Sequence, residues 1–367
     1  MKLSDRIREL RRKFDCIKYK KDNVNVILIL TPYSNVINGG HLSFSSLYNI
    51  FKKKKHIHNS YVIMSYLFLE NRPNYIRFRK FKSNAFIQDL KSIFNHFNSF
   101  NHLTIHIPDM FVPYLVDEMK SPDYPEYIIE KIKGAKQLTF NILNQNDELM
   151  ETVDKKYIDW LKVYFGANIT MTMAHRKYTT IEKQQQYGGI PIHHLSAWLN
   201  CGRYIPKSFE EKENIILLSP DDLKENEELS KQEFIEYLSK HLPDFKIVVV
   251  QNIKYEEYRK LNQRAKFTIT FGEGLDGYFV ETAFYGGVPF AIYNNIFFTE
   301  NYKHLRTIYN SFSDLYENIV KDIKKINNSK TFHEINKEIV DEIEKEYSYE
   351  LYDERVTKYF KNEFDLP

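Results

Sequence analysis

The sequence predicts an α/β fold arranged as two domains. Short apolar runs that read as buried strands alternate with segments that read as amphipathic helices. The alternation occurs in two series, separated by a stretch with no apolar periodicity. The chain has 367 residues, more than one compact core organises, and 43% of them are hydrophobic, enough for two sizeable interiors.

The first series opens with the run Asn25–Thr31 (NVILILT), a buried strand. Pro32–Gly40 follows as a loop and His41–Phe51 as a helix. Strands are expected at Tyr61–Leu67, His102–Ile107, Gln137–Leu143 and Asn168–Met173. Helices are expected at Ser83–Phe97, Met110–Met119, Asp154–Tyr164 and Thr180–Tyr187. The stretch Gly202–Glu213 holds Gly202, Pro206 and a charged run, and marks the boundary. Residues 1–205 and 206–367 are therefore the expected domains.

The second series is regular. Strands are expected at Asn214–Leu218, Phe245–Gln251, Phe267–Phe271 and Pro289–Tyr293. Helices alternate with them at Lys231–Leu242, Tyr255–Ala265 and Asp276–Tyr285. A Lys- and Glu-rich tail, Ser311–Phe364, reads as helical throughout.

Composition narrows the function classes. Two distant cysteines, Cys16 and Cys201, form neither a disulfide framework nor a metal set, and suit a reducing compartment. No apolar run reaches the length that crosses a bilayer, and the basic start of the chain lacks a signal peptide's apolar stretch. A cytoplasmic protein is expected, or one held peripherally on the inner face of the plasma membrane. The net charge of +3 hides an asymmetry: residues 1–205 carry 30 Lys and Arg against 18 Asp and Glu, and the remainder 22 against 31. The first half suits an anionic partner. Its segments Lys52–Lys55 and Arg77–Lys82 (RFRKFK) interleave cations with aromatics, as surfaces facing anionic lipid do. No nucleic-acid-binding signature accompanies them.

The chemistry concentrates in Phe267–Asn294, FTITFGEGLDGYFVETAFYGGVPFAIYN. Five of the chain's 12 glycines fall between Gly272 and Gly287. A strand, a glycine-rich turn and a helix in succession present free backbone N–H groups to a phosphate. Glu273 lies in the turn and Glu281 inside the helix, with seven residues between. A carboxylate near a helix start can accept both hydroxyls of a ribose, and one in the loop can meet sugar hydroxyls. Gly286-Gly287 ends the helix ahead of Pro289.

This segment resembles the E-x7-E donor-binding motif of retaining glycosyltransferases of the GT-B fold, family 4 above all. Glu273, Glu281, Gly286 and Pro289 match in order and spacing. The resemblance implies two Rossmann-like domains facing across a cleft, with C-terminal helices packing back toward the N-terminal domain. It implies a nucleotide-diphosphate sugar as donor, bound without a metal or other cofactor, and a glycan or lipid-linked glycan as acceptor. A setting in bacterial surface polysaccharide synthesis follows from the same resemblance. Glu281 would bind the ribose and Glu273 the donor sugar. The backbone of Gly274, Leu275, Asp276 and Gly277 would face the pyrophosphate.

The turn departs from the family's G-F-G-L-P at Asp276 and Tyr278, and Asp276 is expected to point away as the helix N-cap. The family's Arg and Lys after the first strand of the C-terminal domain are missing. Lys224, or Arg264 and Lys266, are the candidates to replace them. In the first half, Gly39-Gly40 resembles the glycine pair near donor and acceptor. His106 and Asp109 resemble a histidine motif whose imidazole lines the cleft and meets the donor sugar. Tyr187–Ser196 resembles, by its position, the turn that leads to the hinge. His193-His194 is too closely spaced for a helical metal pair, and His175-Arg176-Lys177 follows a strand's carboxyl end. Two alternatives stay open: a sugar-nucleotide epimerase of the same fold, and a non-catalytic relative that binds a glycan or a partner.

Overall fold

The structure is a computed structural model that describes residues 21–32, 39–70, 74–78, 83–145, 155–196, 204–221, 223 and 230–367. The chain divides into two compact units, 1–201 with 349–367, and 202–348. Residues 349–367, grouped with the second half on sequence grounds, thus belong to the first unit.

The first unit is built on an eight-stranded sheet. Its strands are β1 (Val24–Thr31), β2 (Ser60–Tyr66), β3 (Asn74–Phe78), β4 (Ser83–Gln88), β5 (Phe100–Pro108), β6 (Gln137–Asn144), β7 (Asn168–Met173) and β8 (Ile192–His194). Their order is β3-β4-β2-β1-β5-β6-β7-β8. Every pairing is parallel except β3 with β4. Parallel strands covered on both faces become continuous apolar runs, and residues Val26 to Leu30 of β1 are all buried.

The helices of this unit are α1 (Gly39–Lys54), α2 (Leu90–His96), α3 (Val112–Lys120), α4 (Glu126–Lys133), α5 (Lys155–Phe165) and α6 (Ile181–Gln186). One expectation fails here. Ser83–Phe97 is not a single helix, because its first six residues form β4. Asp89 separates strand from helix: its side chain accepts the Ser92 N–H at 2.7 Å and caps α2.

The second unit carries a five-stranded, wholly parallel sheet: β9 (Glu213–Leu218), β10 (Lys246–Val249), β11 (Ala265–Thr270), β12 (Val288–Ile292) and β13 (Ile308–Tyr309). The order is β10-β9-β11-β12-β13. Helices α7 (Lys231–His241), α8 (Tyr255–Arg264) and α9 (Gly277–Phe284) connect the strands. The tail expected to be one helical stretch is three helices, α10 (Phe312–Ile326), α11 (Ser329–Ile343) and α12 (Tyr349–Phe360). Ser311 caps α10 and Asn328 caps α11. The Leu315, Ile319 and Ile323 stripe of α10 is fully buried, each side chain contributing about 2 kcal/mol.

Helix α12 completes the first unit. Its Asp353 takes Lys54 at 2.6 Å, and Tyr352, Val356, Tyr359 and Phe360 are buried. The chain beyond it adds to the sheet edge, where Leu366 and Ile192 exchange backbone bonds of 2.8 and 3.0 Å. Among the described residues no helix is long and apolar enough to cross a membrane. Cys16, Cys201, Lys224 and the segment 79–82 lie outside the described residues.

Candidate functional site

In a parallel open sheet, ligands bind beyond the carboxyl ends of the strands where the strand order reverses. In the second unit the chain runs from β9 outward to β10, then returns to the other side of β9 as β11. The reversal lies between β9 and β11, and the glycine-rich turn begins at the carboxyl end of β11.

The turn is held from below. Strand β11 is buried along its whole length. The Phe271 N–H donates to Ser219 Oγ at 3.2 Å, tying the turn to the end of β9. Thr270 Oγ1 donates to Asp276 Oδ2 at 2.8 Å, and Asp276 Oδ1 accepts the Phe279 N–H at 3.0 Å. Asp276 is therefore the N-cap of α9, as its residue type led us to expect. Burial pushes its carboxyl up to about 7, with Glu273 and Asp221 adding to the rise. Leu275 is buried in the apolar core and Gly274 is buried beside it, whereas Gly272 and Gly277 are partly exposed.

Glycine is required at one point of the turn, Gly274, and leaves room for a neighbouring side chain at another, Gly272. Gly274 has φ +80°, and a Cβ there would stand 2.4 Å from the Phe298 ring. A Cβ on Gly272 would meet the Asp221 carboxyl at 2.8 Å. The backbone of 272–277 thus threads between β9's loop and Phe298, ahead of the first turn of α9. Gly277 begins that helix, whose leading N–H groups have no carbonyl within the helix to bond.

Glu273 is exposed in the turn. Glu281 is 1% exposed, and its Oε1 accepts two phenolic hydrogens, from Tyr255 at 2.6 Å and Tyr204 at 3.1 Å. Its Oε2 is buried without a hydrogen-bond partner among the described residues. Burial raises the Glu281 pKa, while Tyr255, Arg259 and Tyr204 pull it back. The surrounding helix contact is aromatic and braced: Arg259 donates to Tyr285 through Nε at 2.7 Å, and Tyr258 donates to the Gly277 carbonyl at 3.3 Å.

Sequence reasoning misplaced two cations. Arg264 ends α8 just before β11, at the amino edge of the sheet. It makes a two-point pair with Glu213, Nε to Oε1 and Nη2 to Oε2, both at 2.6 Å. The six residues of β11 put about 20 Å between it and the glycine turn. Lys266 shares that edge, donating to Asn214 and Asn327. A cation at the carboxyl edge is one the sequence reading passed over. Lys231 opens α7, and its Nζ donates to the Ser219 and Asp221 carbonyls, each at 2.7 Å. It also lies 5.9 Å from the Phe271 ring centroid. Its position at a helix start, behind the loop leaving β9, was the available signal.

In the first unit His106 does not line an open surface. It is 0% exposed on β5, with Nδ1 3.1 Å from Asn141 Nδ2 and Nε2 3.5 Å from the Tyr359 hydroxyl. Burial pushes its pKa down to about 3. The expected contact with a donor sugar is thus corrected to a core role: α12 supplies the Tyr359 that covers this imidazole. Asp109 is buried too, its carboxylate accepting the Met110 and Gln145 N–H groups at 2.7 and 2.9 Å. Gly39 and Gly40 open α1, at the carboxyl side of β1 where this sheet also reverses its order. Among the described residues no group of three His, Cys, Asp or Glu side chains is placed to hold a metal ion.

No family model matches the chain, and no curated relative matches its sequence. Its fold does have solved counterparts. The chain is similar to the pneumococcal O-GlcNAc transferase GtfA, solved with UDP and GlcNAc, at 8% identity and TM-score 0.53 over 92% of this chain and 99% of that one. Trehalose-6-phosphate synthase OtsA gives the same identity, coverage and TM-score. A Listeria monocytogenes protein assigned as a UDP-N-acetylglucosamine 2-epimerase matches at 9% identity over 94% and 98%, with TM-score 0.47. What the chain shares with these two transferases is the fold: a two-domain α/β architecture of the GT-B type, built on sheets that are parallel but for β3 with β4.

Proposed function

We propose that the protein transfers a sugar from a nucleotide-diphosphate donor to a hydroxyl of a glycan or lipid-linked glycan. The observation that carries this is the glycine turn at the β9–β11 reversal, followed at Glu281 by a buried carboxylate with one oxygen unpartnered among the described residues. The backbone of Gly274, Leu275, Asp276 and Gly277 would approach the diphosphate, and Glu281 Oε2 would accept the ribose hydroxyls. Glu273, exposed in the turn, would meet the donor sugar.

In the reaction the bond between the anomeric carbon and the phosphate oxygen breaks, and the diphosphate leaves with the electron pair. The acceptor oxygen bonds the anomeric carbon and its proton passes to the departing phosphate. Charge building on that phosphate would be met by the α9 amide groups and by Lys231, with no metal called for. Retention of configuration belongs to the same reading. The basic first half, with Lys52, Lys53 and Lys54 on the last turn of α1 and Lys55 just after it, supports a cytoplasmic enzyme resting on an anionic membrane and building bacterial surface polysaccharide.

A second reading has an observation of its own. Asp221, Glu273 and Asp276 set three carboxyl groups around the turn, which opposes a diphosphate and favours a non-catalytic binding role. Thermal shift and calorimetry with UDP, GDP and ADP separate the two readings, because a ligand stabilises only the state that binds it. Stabilisation by one diphosphate that Glu281→Gln abolishes supports the transferase. Indifference to all three overturns it.

A further inference from the structure

We propose that the first unit stands on an anionic lipid surface through the amino edge of its sheet, turning the carboxyl edge away from the membrane. Parallel strands start at one edge, so the segments that lead into them gather there. Those that enter β1, β2, β5, β6 and β7 are residues 21–23, 52–59, 97–99, 131–136 and 162–167. Together they hold nine lysines and a single acid, Asp22. Most of the positive excess of the first half thus sits at one end of the sheet.

Four of these lysines lie on aromatic rings. The distance from Nζ to the ring centroid is 4.5 Å for Lys21 on Tyr61 and 3.6 Å for Lys133 on Tyr164. It is 5.5 Å for Lys52 on Tyr48 and for Lys53 on Tyr349. A ring face holds an ammonium in place without cancelling its charge. Lys54 pairs with Asp353 of α12. Cations tethered in this way along one edge are complementary to a surface of fixed negative charge, which a cluster of lysines at the start of several strands can meet all at once.

The same edge also presents apolar and amphipathic side chains. Val163 is 81% exposed, Tyr61 42% and Tyr164 41%. A soluble polyanion would leave these groups in water. A bilayer takes them in at headgroup depth, where a tyrosine keeps its ring in the apolar boundary and its hydroxyl wet. Charge alone fits either partner, and the exposed valine and tyrosines favour lipid.

The orientation has a consequence. Strand β1 has eight residues, which set its carboxyl end about 25 Å from the edge that meets lipid. Gly39 and Gly40 open α1 on that far side. The docking face stands on the first unit alone and survives or falls independently of the donor reading. Only the consequence rests on the transferase reading: an acceptor that reaches the carboxyl edge is the outer end of a glycan rather than the sugar beside its lipid.

The test sediments the full chain with sucrose-loaded phosphatidylcholine vesicles, with and without phosphatidylglycerol. We expect binding that requires phosphatidylglycerol and falls with added salt. The triple variant Lys52→Ser, Lys53→Ser, Lys55→Ser and the double variant Lys133→Ser, Lys136→Ser should each weaken it about tenfold or more, at about fivefold per lysine. Val163→Ser should weaken vesicle binding and leave binding of polyphosphate unchanged. Lys155→Ser with Lys177→Ser removes charge from the carboxyl side of the same sheet and should leave vesicle binding nearly intact; melting curves check that each variant is folded. No sedimentation with phosphatidylglycerol, equal sedimentation without it, or an equal loss in the carboxyl-side variant overturns the docking face. Polyphosphate bound as tightly as the vesicles overturns the assignment to lipid. Calorimetry with UDP on the same variants measures the donor reading separately.

Discussion

Tyr255 and Tyr204 bond the same oxygen of Glu281, at 2.6 and 3.1 Å, and Oε2 has no hydrogen-bond partner among the described residues. One half of the carboxylate is spent on holding the other half in place. Glu281→Gln keeps the volume and one carbonyl oxygen for the phenols. It is expected to weaken diphosphate binding about ten- to hundredfold while the fold persists. Calorimetry with UDP and GDP, beside a melting curve, checks both halves of that statement.

Tyr255→Phe removes the shorter of the two bonds and leaves a buried acceptor less well satisfied. A stability loss of about 1–3 kcal/mol is expected, measured by denaturant unfolding. Because the ring remains, near-ultraviolet circular dichroism should be almost unchanged. A variant as stable as the parent would mean that Tyr204 alone positions the carboxylate.

The Asp276 carboxyl, raised to about 7 by burial, makes stability depend on pH. The folded protein keeps this proton up to about 7, whereas the unfolded chain releases it in the ordinary carboxylate range. Stability therefore falls as pH rises from about 4 to above 7. Asn caps a helix as well as Asp does and carries no charge. Asp276→Asn should flatten this slope and melt higher than the parent at about pH 8.

His106 gives the opposite slope at the acid end. Its pKa is pushed down to about 3, so the unfolded chain binds a proton that the folded core refuses. Stability is lost as pH falls from about 6.5 toward 3. His106→Gln removes the titrating group, and acid unfolding followed by circular dichroism should begin at lower pH in the variant.

Arg264 and Glu213 are both half exposed, and their pairing is expected to be worth less than about 1 kcal/mol. Arg264→Ala should leave diphosphate affinity unchanged, since the pair stands at the amino edge of the sheet. A tenfold loss of UDP binding in this variant would contradict the placement of the site.

The second unit was the more legible in sequence. Its strands are short and wholly parallel, and β11 and most of β9 and β12 are buried, so apolar runs separated by helical stretches announced them. Glycine clustering announced the turn, because Gly272 and Gly274 answer to local sterics. Long-range partners left no such trace: Tyr204, Tyr255 and Glu281 lie far apart in sequence and meet through tertiary packing. The cations were judged by sequence distance from the turn, which does not tell one end of a strand from the other. That is why Arg264 was put forward and Lys231 passed over. In Ser83–Phe97 the apolar spacing of Ile87, Leu90 and Phe94 suits a helix, and Asp89 was the overlooked stop. His106 looked available because α12, which buries it, arrives some 250 positions later.

That late arrival affects how the protein is made. The polypeptide leaves its first unit after residue 201 and supplies the missing piece from 349 onward. During synthesis the second unit has its whole set of elements first, while the earlier-made sheet waits with the bed for α12 uncovered. Ribosome-bound intermediates should therefore show protease resistance in 202–348 before 24–194, an inversion of the usual N-terminal-first order. Removing residues 349–367 should damage the beginning of the chain rather than its end.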